Sequence, residues 1–296
     1  MRVVIAGASG FLGTHLSDHL RVHGHEVTAL VRREAEGARE SRWDPYTGQL
    51  DPSVVESSDV VVNLAGSPLF GNPHSARYRR ALMDSRVVTT QVLAEAIAKS
   101  DRKPAFLANN GTSFYGDHGA EVLTEESDTR GEALLTRVTR AWQDATLPAV
   151  EAGARVCVLR TAPVLDRASV TMRLLRTVFK AGLAARLSTG DQYFPLISLR
   201  DWVGAATYLA ESHDVSGVFN LCCPVTPTNR EFTETLAGAL HRPAVLAAPA
   251  PVLRLAAGQM APELLNSVNA RPAALERAGY DFEDEDVREV LAAALS

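Results

Sequence analysis

The stretch that decides the fold is MRVVIAGASGFLG, residues 1–13. Residues 2–6 are apolar without polar alternation, which is typical of a parallel strand covered on both faces. Three glycines follow, Gly7, Gly10 and Gly13. Glycine allows the backbone to turn sharply and approach a pyrophosphate, whose charge the N-terminus of the next helix stabilises. The stretch predicts a dinucleotide-binding turn; the alternative is a strand–helix turn that needs glycine for its shape alone.

The same strand–helix alternation recurs through the first two-thirds of the chain. We predict buried strands at residues 2–6, 26–31, 59–65, 104–109 and 155–160, and intervening helices at 11–23, 75–99 and 131–147. This order predicts an α/β fold, a Rossmann-type doubly wound parallel sheet with a smaller C-terminal substrate lobe. We expect residues 1–165, completed by 197–222, to form the dinucleotide-binding domain, and residues 166–196 and 223–296 to form the lobe.

Composition narrows the class of protein. The 296 residues carry a net charge of −5, which gives no general affinity for nucleic acid or an anionic membrane. Three cysteines, two of them adjacent, form no disulfide framework, so a reducing compartment is expected. The first residues are too short an apolar run for a signal peptide, and no apolar run is long enough to span a membrane. We therefore expect a cytoplasmic protein, monomeric or homodimeric, that acts on a small molecule and binds no metal.

The end of the second strand bears on the identity of the dinucleotide. Strands at this position usually end in Asp or Glu, which bonds the ribose hydroxyls of NAD. Here the sequence reads TALVRR, with Val31 at the acidic position and Arg32 and Arg33 after it. An arginine at this point can clamp a 2′-phosphate, so the sequence favours NADP over NAD. The alternative is a pair of solvated arginines at a strand end.

Several motifs resemble those of a known superfamily. GASGFLG (7–13), NLAG (63–66) and FYGD (114–117) resemble the extended and atypical short-chain dehydrogenases/reductases. Within them, the chain resembles the epimerase-like subfamily of the NAD-dependent epimerase/dehydratase family. WDPYTGQLD (43–51), DSRVVTTQVL (84–93), YGDHGAEVLTEES (115–127) and LRTAPVL (159–165) match that subfamily, and residues 228–244 match its C-terminal domain of unknown function.

The resemblance implies an NADP(H) site and a neighbouring substrate pocket. The residues that it assigns to the cofactor are Gly7, Ser9, Gly10, Phe11, Leu12, Arg32, Leu64, Ala65, Gly66, Asn110 and Arg160. Arg32 is expected at the 2′-phosphate, and the last two beside the nicotinamide. The substrate is expected at Gln192, Tyr193 and Phe194, in a segment that crosses back from the lobe to the sheet.

The chain departs from the superfamily in the residues that would transfer the proton. The chemistry of the superfamily normally uses Tyr-x-x-x-Lys, in which lysine lowers the pKa of the tyrosine, and no such pair occurs in this chain. The remaining candidates for the proton-transfer group are Tyr115, Ser113 and His118. The alternatives are a packed loop tyrosine at Tyr115 and an exposed turn histidine at His118.

Two hypotheses of function follow. In the first, the chain is an NADP(H)-dependent oxidoreductase or epimerase-like enzyme that acts on a small carbonyl or alcohol without the usual Tyr/Lys pair. In the second, it is a non-catalytic NADP(H)-binding sensor or regulatory protein. The retained cleft motifs favour the enzyme, whereas the missing pair favours the sensor.

Overall fold

The computed structural model describes residues 1–69, 71–72 and 74–296. The strands are β1 (Arg2–Ala6), β2 (Glu26–Val31), β3 (Glu40–Asp44), β4 (Gln49–Leu50), β5 (Val60–Asn63), β6 (Ala105–Gly111), β7 (Val122–Leu123), β8 (Val156–Thr161), β9 (Val164–Leu165), β10 (Ala185–Leu187), β11 (Ile197–Ser198), β12 (Gly217–Leu221), β13 (Leu246–Ala248) and β14 (Asn269–Ala270). The helices are α1 (Phe11–Val22), α2 (Pro52–Glu56), α3 (Ala76–Lys99), α4 (Leu134–Asp144), α5 (Leu147–Glu151), α6 (Val170–Lys180), α7 (Leu199–Glu211), α8 (Asn229–Ala239), α9 (Ala250–Ala257), α10 (Pro262–Leu265), α11 (Ala273–Ala278) and α12 (Val287–Leu295).

The main sheet has eight strands in the order β12-β8-β6-β5-β1-β2-β3-β4. β1 pairs in parallel with both β2 and β5, β2 with β3, and β5 with β6, whereas β4 pairs antiparallel with β3. Strands β2, β3 and β4 lie on one side of β1, whereas β5, β6, β8 and β12 lie on the other. The strand order therefore reverses between β1 and β5. This reversal is the topological switch point at which doubly wound sheets bind ligands. The predicted Rossmann-type α/β fold is confirmed.

The predicted elements of the first half are present with small shifts of their ends. β1 and β2 have the predicted bounds, and α1 covers Phe11–Val22 where residues 11–23 were expected. The predicted helix at 131–147 is instead two helices, α4 and α5, and a proline at the start of α5 lacks the N–H that would continue the first. β3 and β4 lie in the segment around WDPYTGQLD, where the sequence predicted no strand.

The chain divides into two compact units. The first comprises residues 1–110, 138–159 and 203–218, and the second comprises 111–137, 160–202 and 219–296. The division into functional domains that the sequence predicts has different bounds and stays a prediction.

An apolar core of the first unit lies against the sheet. Val4, Val61, Leu93, Phe106 and Val158 belong to it and are all buried. These residues come from β1, β5, β6, β8 and α3, so the apolar strands without alternation are buried as their pattern predicts.

The second unit has two apolar clusters and three two-stranded parallel sheets, β10-β13, β11-β9 and β14-β7. In one cluster α6, α8 and α12 pack together through Met172, Phe232, Leu236 and Leu291. The other cluster surrounds the fully buried Tyr115. Burial of apolar area at about 25 cal/mol per Å² is the main stabilising contribution to both. Among the described residues, no helix combines the length and apolarity needed to cross a bilayer.

Candidate functional site

The glycine loop between β1 and α1 is shaped by contacts that only glycine permits. Gly7 has a φ of +82°, and a Cβ there would lie 2.7 Å from the carbonyl carbon of Leu64 at the end of β5. A Cβ on Gly13 would lie 2.1 Å from the carbonyl oxygen of Gly7. The loop therefore packs tightly against β5 and α1, which leaves its outer side open to a ligand.

Helix α1 begins at this loop without a side-chain cap. Gly10 is the N-cap residue and makes no side-chain hydrogen bond, and the first turn contains no acidic residue. The first N–H groups of a helix have no partner within it, and the helix dipole places positive charge there. The start of α1 therefore offers donors to an anion.

A pocket of about 840 Å³ opens at the switch point. Its wall is built from the segments that follow three adjacent strands, residues 7–10 after β1, residues 31–33 at the end of β2, and residues 64–68 after β5. The volume lies within the usual range for small-molecule and cofactor pockets. The pocket lies entirely in the first unit.

Most of the predicted cofactor residues line this pocket. Those that do so are Gly7, Ser9, Gly10, Arg32, Leu64, Ala65 and Gly66. Phe11 and Leu12 belong to the first turn of α1 but do not line it. Asn110 and Arg160 do not line it either, and both are buried. The side-chain amide of Asn110 donates to the carbonyl oxygen of Thr139 at 3.0 Å.

The two arginines after β2 differ in their ion pairs. Arg33 donates two hydrogen bonds to the carboxylate of Glu40, at 2.7 and 2.6 Å. These bonds hold the pKa of the Glu40 carboxyl below its usual range. Arg32 is exposed at the pocket and has no ion pair among the residues that the structure describes. The free positive charge at this wall of the pocket is therefore that of Arg32.

Two buried side chains fix the wall that follows β5. Asn63 donates to the hydroxyl of Thr90 on α3 at 2.8 Å and accepts the N–H of Ala65 at 3.1 Å. Arg86, also on α3, donates to the carbonyl oxygens of Ser67 and Leu82, both at 3.1 Å. The motif NLAG is thus held in place from α3.

Arg86 is a buried cation, 8% exposed. Its guanidinium lies 5.3 Å from the centre of the Trp142 ring, a favourable cation–π distance. Burial lowers its pKa to about 10, so it remains charged near neutral pH. Among the described residues, its hydrogen-bond acceptors are neutral oxygens, so the charge is stabilised by hydrogen bonds and the ring rather than by an ion pair.

A second, smaller pocket of about 70 Å³ lies within the second unit. Predicted residues Ser113, Tyr193 and Phe194 line it, together with Glu263 and Asn266. The hydroxyl of Ser113 donates to a carboxylate oxygen of Glu263 at 2.6 Å. Burial raises the pKa of the Glu263 carboxyl, and the hydrogen bond from Ser113 opposes part of that rise. The pocket combines aromatic walls with a hydroxyl–carboxyl pair.

Gln192 does not line this pocket, and its expected contact with a substrate stays a prediction. Its side-chain amide donates to the carbonyl oxygens of Leu187 and Leu264, both at 3.1 Å. Leu264 belongs to α10, which also carries Glu263. Gln192 therefore holds the helix that presents the carboxyl group.

The structure gives Tyr115 the position of a packed residue, the alternative that the sequence left open. It is 0% exposed, and its hydroxyl donates to Asn220 Oδ1 at 2.7 Å and accepts from Arg160 at 2.9 Å. Burial raises its pKa to about 12, which disfavours proton exchange near neutral pH. Arg160 also stacks on Phe114, 3.5 Å from the ring centre. These contacts assign Tyr115 and Arg160 to one buried network.

His118 is buried rather than exposed. Its Nε2 lies 3.2 Å from a carboxylate oxygen of Asp128, and its Nδ1 has no hydrogen-bond partner among the described residues. It lines neither of the two pockets described above. A role for His118 in proton transfer stays a prediction.

Sequence reasoning missed Glu263. In the stretch MAPELLNSV it is the one acidic residue, but the stretch lies about 150 residues from Ser113, and nothing in the spacing connects them. Sequence reasoning also missed Glu40, whose pairing with Arg33 leaves Arg32 free. Both contacts are long-range or strand-to-loop pairings that no local pattern encodes.

Comparison with known proteins agrees with this geometry. The model of the NAD dependent epimerase/dehydratase family matches residues 3–222. The chain belongs to that family. A second model, of a domain of unknown function called DUF1731, matches residues 248–294 and so includes Glu263. The resemblance to the family is confirmed, and so is the presence of a C-terminal domain of unknown function, although its match begins at residue 248, beyond residues 228–244 on which the sequence placed it.

Relatives within the family align along nearly the whole chain. An epimerase family protein of Mycobacterium bovis is 38% identical over 290 residues, which is 98% of this chain and 96% of that protein. The crystal structure of the human epimerase family protein SDR39U1 with NADPH has a TM-score of 0.89 at 30% identity and 99% coverage of both chains. A nucleoside-diphosphate sugar epimerase of Corynebacterium glutamicum has a TM-score of 0.81 at 30% identity, covering 100% of this chain and 58% of that one.

Proposed function

We propose that this family member binds NADP(H) in the glycine-loop pocket and acts as an oxidoreductase or epimerase-like enzyme on a small carbonyl or alcohol. The pyrophosphate is held by the loop of Gly7 to Gly10 and the N-terminus of α1. Arg32 holds the 2′-phosphate. Leu64 to Gly66 form the wall for adenosine and ribose.

The preference for NADP(H) over NAD(H) rests on the unpaired charge of Arg32. Arg33 is neutralised by Glu40, whereas Arg32 is exposed at the pocket without an ion pair in the described part of the chain. Val31 leaves no carboxylate at the position that would bond the ribose hydroxyls of NAD. The structure of the human relative with NADPH supports the same choice.

The glycine contacts fit a dinucleotide for a steric reason. Side chains at Gly7 or Gly13 would meet backbone atoms at 2.7 and 2.1 Å, so the loop is built for close backbone approach. When bound, the nicotinamide supplies or takes up a hydride. The chain's own residues bind and orient the cofactor and move the proton that accompanies the hydride.

The proposal is tested by NADPH oxidation in the presence of three probe carbonyls, benzaldehyde, hexanal and diacetyl. We expect purified protein to bind NADPH and to oxidise it with at least one probe. The matched control is Gly13→Val, which fills the loop and should abolish both binding and turnover while the wild type retains both. Tight NADPH binding with no oxidation on any probe contradicts the oxidoreductase proposal.

A further inference from the structure

A carboxyl group without a neighbouring cation lies in the small pocket of the second unit. Glu263, on α10, lines this pocket, and the hydroxyl of Ser113 donates to one of its carboxylate oxygens at 2.6 Å. Burial raises the pKa of the Glu263 carboxyl, and no charged group among the described residues acts on it. Carboxylates withdrawn from water in proteins are usually paired with a cation. The pocket therefore presents an anionic group whose counter-charge the described part of the chain does not supply.

We propose that this pocket binds the protonated primary amino group of a small molecule, with the carboxylate of Glu263 as its anionic partner. The inference goes beyond the proposed function and does not rest on it. Every residue that lines this pocket belongs to the second unit, whereas the glycine-loop pocket belongs to the first. The inference gives a chemical class to the ligand that the sequence expects at Tyr193 and Phe194.

The pocket offers the hydrogen-bond acceptors that an ammonium group requires. An ammonium group donates three hydrogen bonds and accepts none, and an ionised carboxylate has about four acceptor sites. Ser113 uses one of those sites on Glu263. The side-chain amide of Asn266 also lines the pocket and makes no hydrogen bond among the described residues, so its oxygen is a further acceptor. A calcium or magnesium ion needs about six oxygen ligands, more than this wall offers.

Aromatic and apolar side chains form much of the rest of the wall. Tyr193 and Phe194 line the pocket, and so do Pro163, Pro195 and Pro262. The faces of aromatic rings attract cations. Apolar walls also exclude water, which strengthens the attraction between opposite charges. The wall and the carboxyl group together therefore favour a cation that carries a short apolar chain.

The carboxyl group is positioned by contacts from two other segments. Gln192 donates to the carbonyl oxygen of Leu264 on α10 at 3.1 Å. Just beyond α10, the N–H of Ser267 donates to Asp117 at 3.2 Å, and the hydroxyl of Ser267 accepts the N–H of Tyr193 at 3.0 Å. Segments 192–194 and 263–268 are therefore tied together around the pocket. A group that is already ordered loses little freedom when a ligand binds to it.

Ser113 is fixed by the turn that follows it. The N–H of Gly116, which also lines the pocket, donates to the carbonyl oxygen of Ser113 at 3.3 Å. Gly116 has a φ of +75°, and a Cβ there would lie 1.9 Å from the carbonyl oxygen of Arg130. Glycine in the motif FYGD thus permits the turn that places the hydroxyl of Ser113 against the carboxyl group.

The size of the pocket limits the ligand. Its volume of about 70 Å³ is close to that of two waters in the liquid, so it admits an amino group with about two carbons attached. Ser113, Tyr193, Phe194 and Glu263 are all partly exposed. The pocket is therefore open, and the remainder of a larger amine can extend out of it.

An ammonium group should lower the pKa of Glu263, because a cation stabilises the carboxylate. In the free protein, burial disfavours the carboxylate and the hydrogen bond from Ser113 opposes part of that effect. The other titratable side chain in the wall is Tyr193. Amine affinity should weaken as pH falls through the pKa of the free Glu263 carboxyl, since the amine then has to displace a proton.

The experiment titrates the 296-residue chain with ethylammonium chloride at neutral pH and follows the glutamate carboxyl signals by carbon-13 NMR. Glu263→Gln assigns the Glu263 signal by its absence. We expect this signal to shift saturably with a Kd on the order of 1–10 mM, which is within reach of a ligand of about three heavy atoms. Ethanol has nearly the same size without the charge, and it should bind about 10-fold more weakly or worse.

Variants connect the binding to the hydroxyl–carboxyl pair, with saturation transfer to the methyl protons of ethylammonium as the readout. Glu263→Gln keeps the shape of the side chain but removes its charge, and it should raise the Kd about 10-fold or more. Ser113→Ala should raise the pKa of Glu263 and raise the Kd by about 3- to 10-fold. The control is Glu276→Gln, an exposed position on α11 outside the pocket, which should match the wild type.

The pKa of Glu263 gives a second measurement. In the wild type, a pH titration should place it above the ordinary glutamate value, and saturating ethylammonium should lower it. The inference is overturned if the Glu263 signal does not shift saturably, if ethanol binds as tightly as ethylammonium, or if Glu263→Gln binds the amine as the wild type does. None of these outcomes bears on NADPH binding in the first unit. Likewise, a failure of NADPH oxidation with the probe carbonyls overturns the proposed function and not this site.

Discussion

Arg33 and Glu40 form a two-point ion pair across neighbouring segments of the cofactor pocket, with N···O distances of 2.7 and 2.6 Å. This ion pair neutralises Arg33, one of the two arginines that follow β2. The positive charge that stays available at the pocket is that of Arg32, the residue that the sequence assigns to the 2′-phosphate.

Arg32→Ala should weaken NADPH binding and leave NADH binding nearly unchanged. Loss of a charge-assisted hydrogen bond costs about 1.5–3 kcal/mol, which is about a 10- to 100-fold rise in Kd. Calorimetric titration of both nucleotides measures the difference. Arg42→Ala is the control, because Arg42 pairs with Glu34 and does not line the pocket. Equal losses of NADPH and NADH affinity would remove Arg32 from the 2′-phosphate.

Gly7→Ala should impair both folding and cofactor binding. Alanine would have to adopt a φ near +82°, and its Cβ would lie 2.7 Å from the backbone of Leu64. We expect a loss of about 2–4 kcal/mol in the free energy of unfolding, and loss of NADPH binding.

The control for Gly7→Ala is Gly24→Ala. Gly24 has a φ of +80° but has nothing within 4 Å of the added Cβ, so it should lose only about 1–2 kcal/mol and keep NADPH affinity. Denaturant unfolding and titration measure both. If the two variants behave alike, the close approach between Gly7 and β5 does not shape the pocket.

Arg86→Ala should destabilise the wall that follows β5. The substitution leaves the carbonyl oxygens of Ser67 and Leu82 without their donor, at a cost of about 2–4 kcal/mol in the free energy of unfolding. NADPH affinity should fall with it, because residues 64–67 line the pocket. Arg80→Ala, an exposed change on the same helix, should alter neither quantity. Normal NADPH affinity in Arg86→Ala would show that the wall is positioned without it.

Tyr115→Phe should leave kcat unchanged and change the stability of the protein in alkali. The pKa of Tyr115 is raised from 10.0 to about 12 by burial, so between these values the unfolded chain has lost a proton that the folded chain still holds. Stability contributed by Tyr115 is therefore full below pH 10 and is lost as pH rises toward 12.

Denaturant unfolding from neutral pH to pH 12 tests this point. The wild type should lose stability more steeply with pH than Tyr115→Phe does, although the variant is less stable at neutral pH because two hydrogen bonds are gone. A large fall of kcat in Tyr115→Phe would return Tyr115 to the list of proton donors.

The sequence predicted those features that depend on residues close together in the chain, such as the first strands and the glycine loop. The buried strands β1 and β2 were predicted with their bounds because a short apolar run without polar alternation is typical of a parallel strand that is covered on both faces. The glycine loop was predicted from the spacing of Gly7, Gly10 and Gly13, and the structure gives the steric reason, since a Cβ on Gly7 or Gly13 would collide with backbone atoms. The pocket residues after β5 came from the resemblance of NLAG to a family motif.

The side-chain contacts of the candidate site depend on packing between residues that are far apart in the chain. Nothing in the sequence around Glu263 indicates that α10 brings it to Ser113, a contact between residues 150 apart. Arg160 and Tyr115 belong to one buried network that no local pattern encodes, and the site roles that were expected of them stay predictions. The hydrogen bond from Gln192 to the carbonyl oxygen of Leu264 on α10 is also long-range, and the contact with a substrate that was expected of Gln192 stays a prediction.

The central claim is that the glycine-loop pocket binds NADP(H) and selects it over NAD(H). The most direct measurement is calorimetric titration of the wild-type chain with NADPH and NADH under the same conditions. The account predicts that NADPH binds with a Kd about 10- to 100-fold lower than that of NADH, the contribution expected of a charge-assisted contact. Equal or tighter binding of NADH, or no binding of either nucleotide, would contradict it.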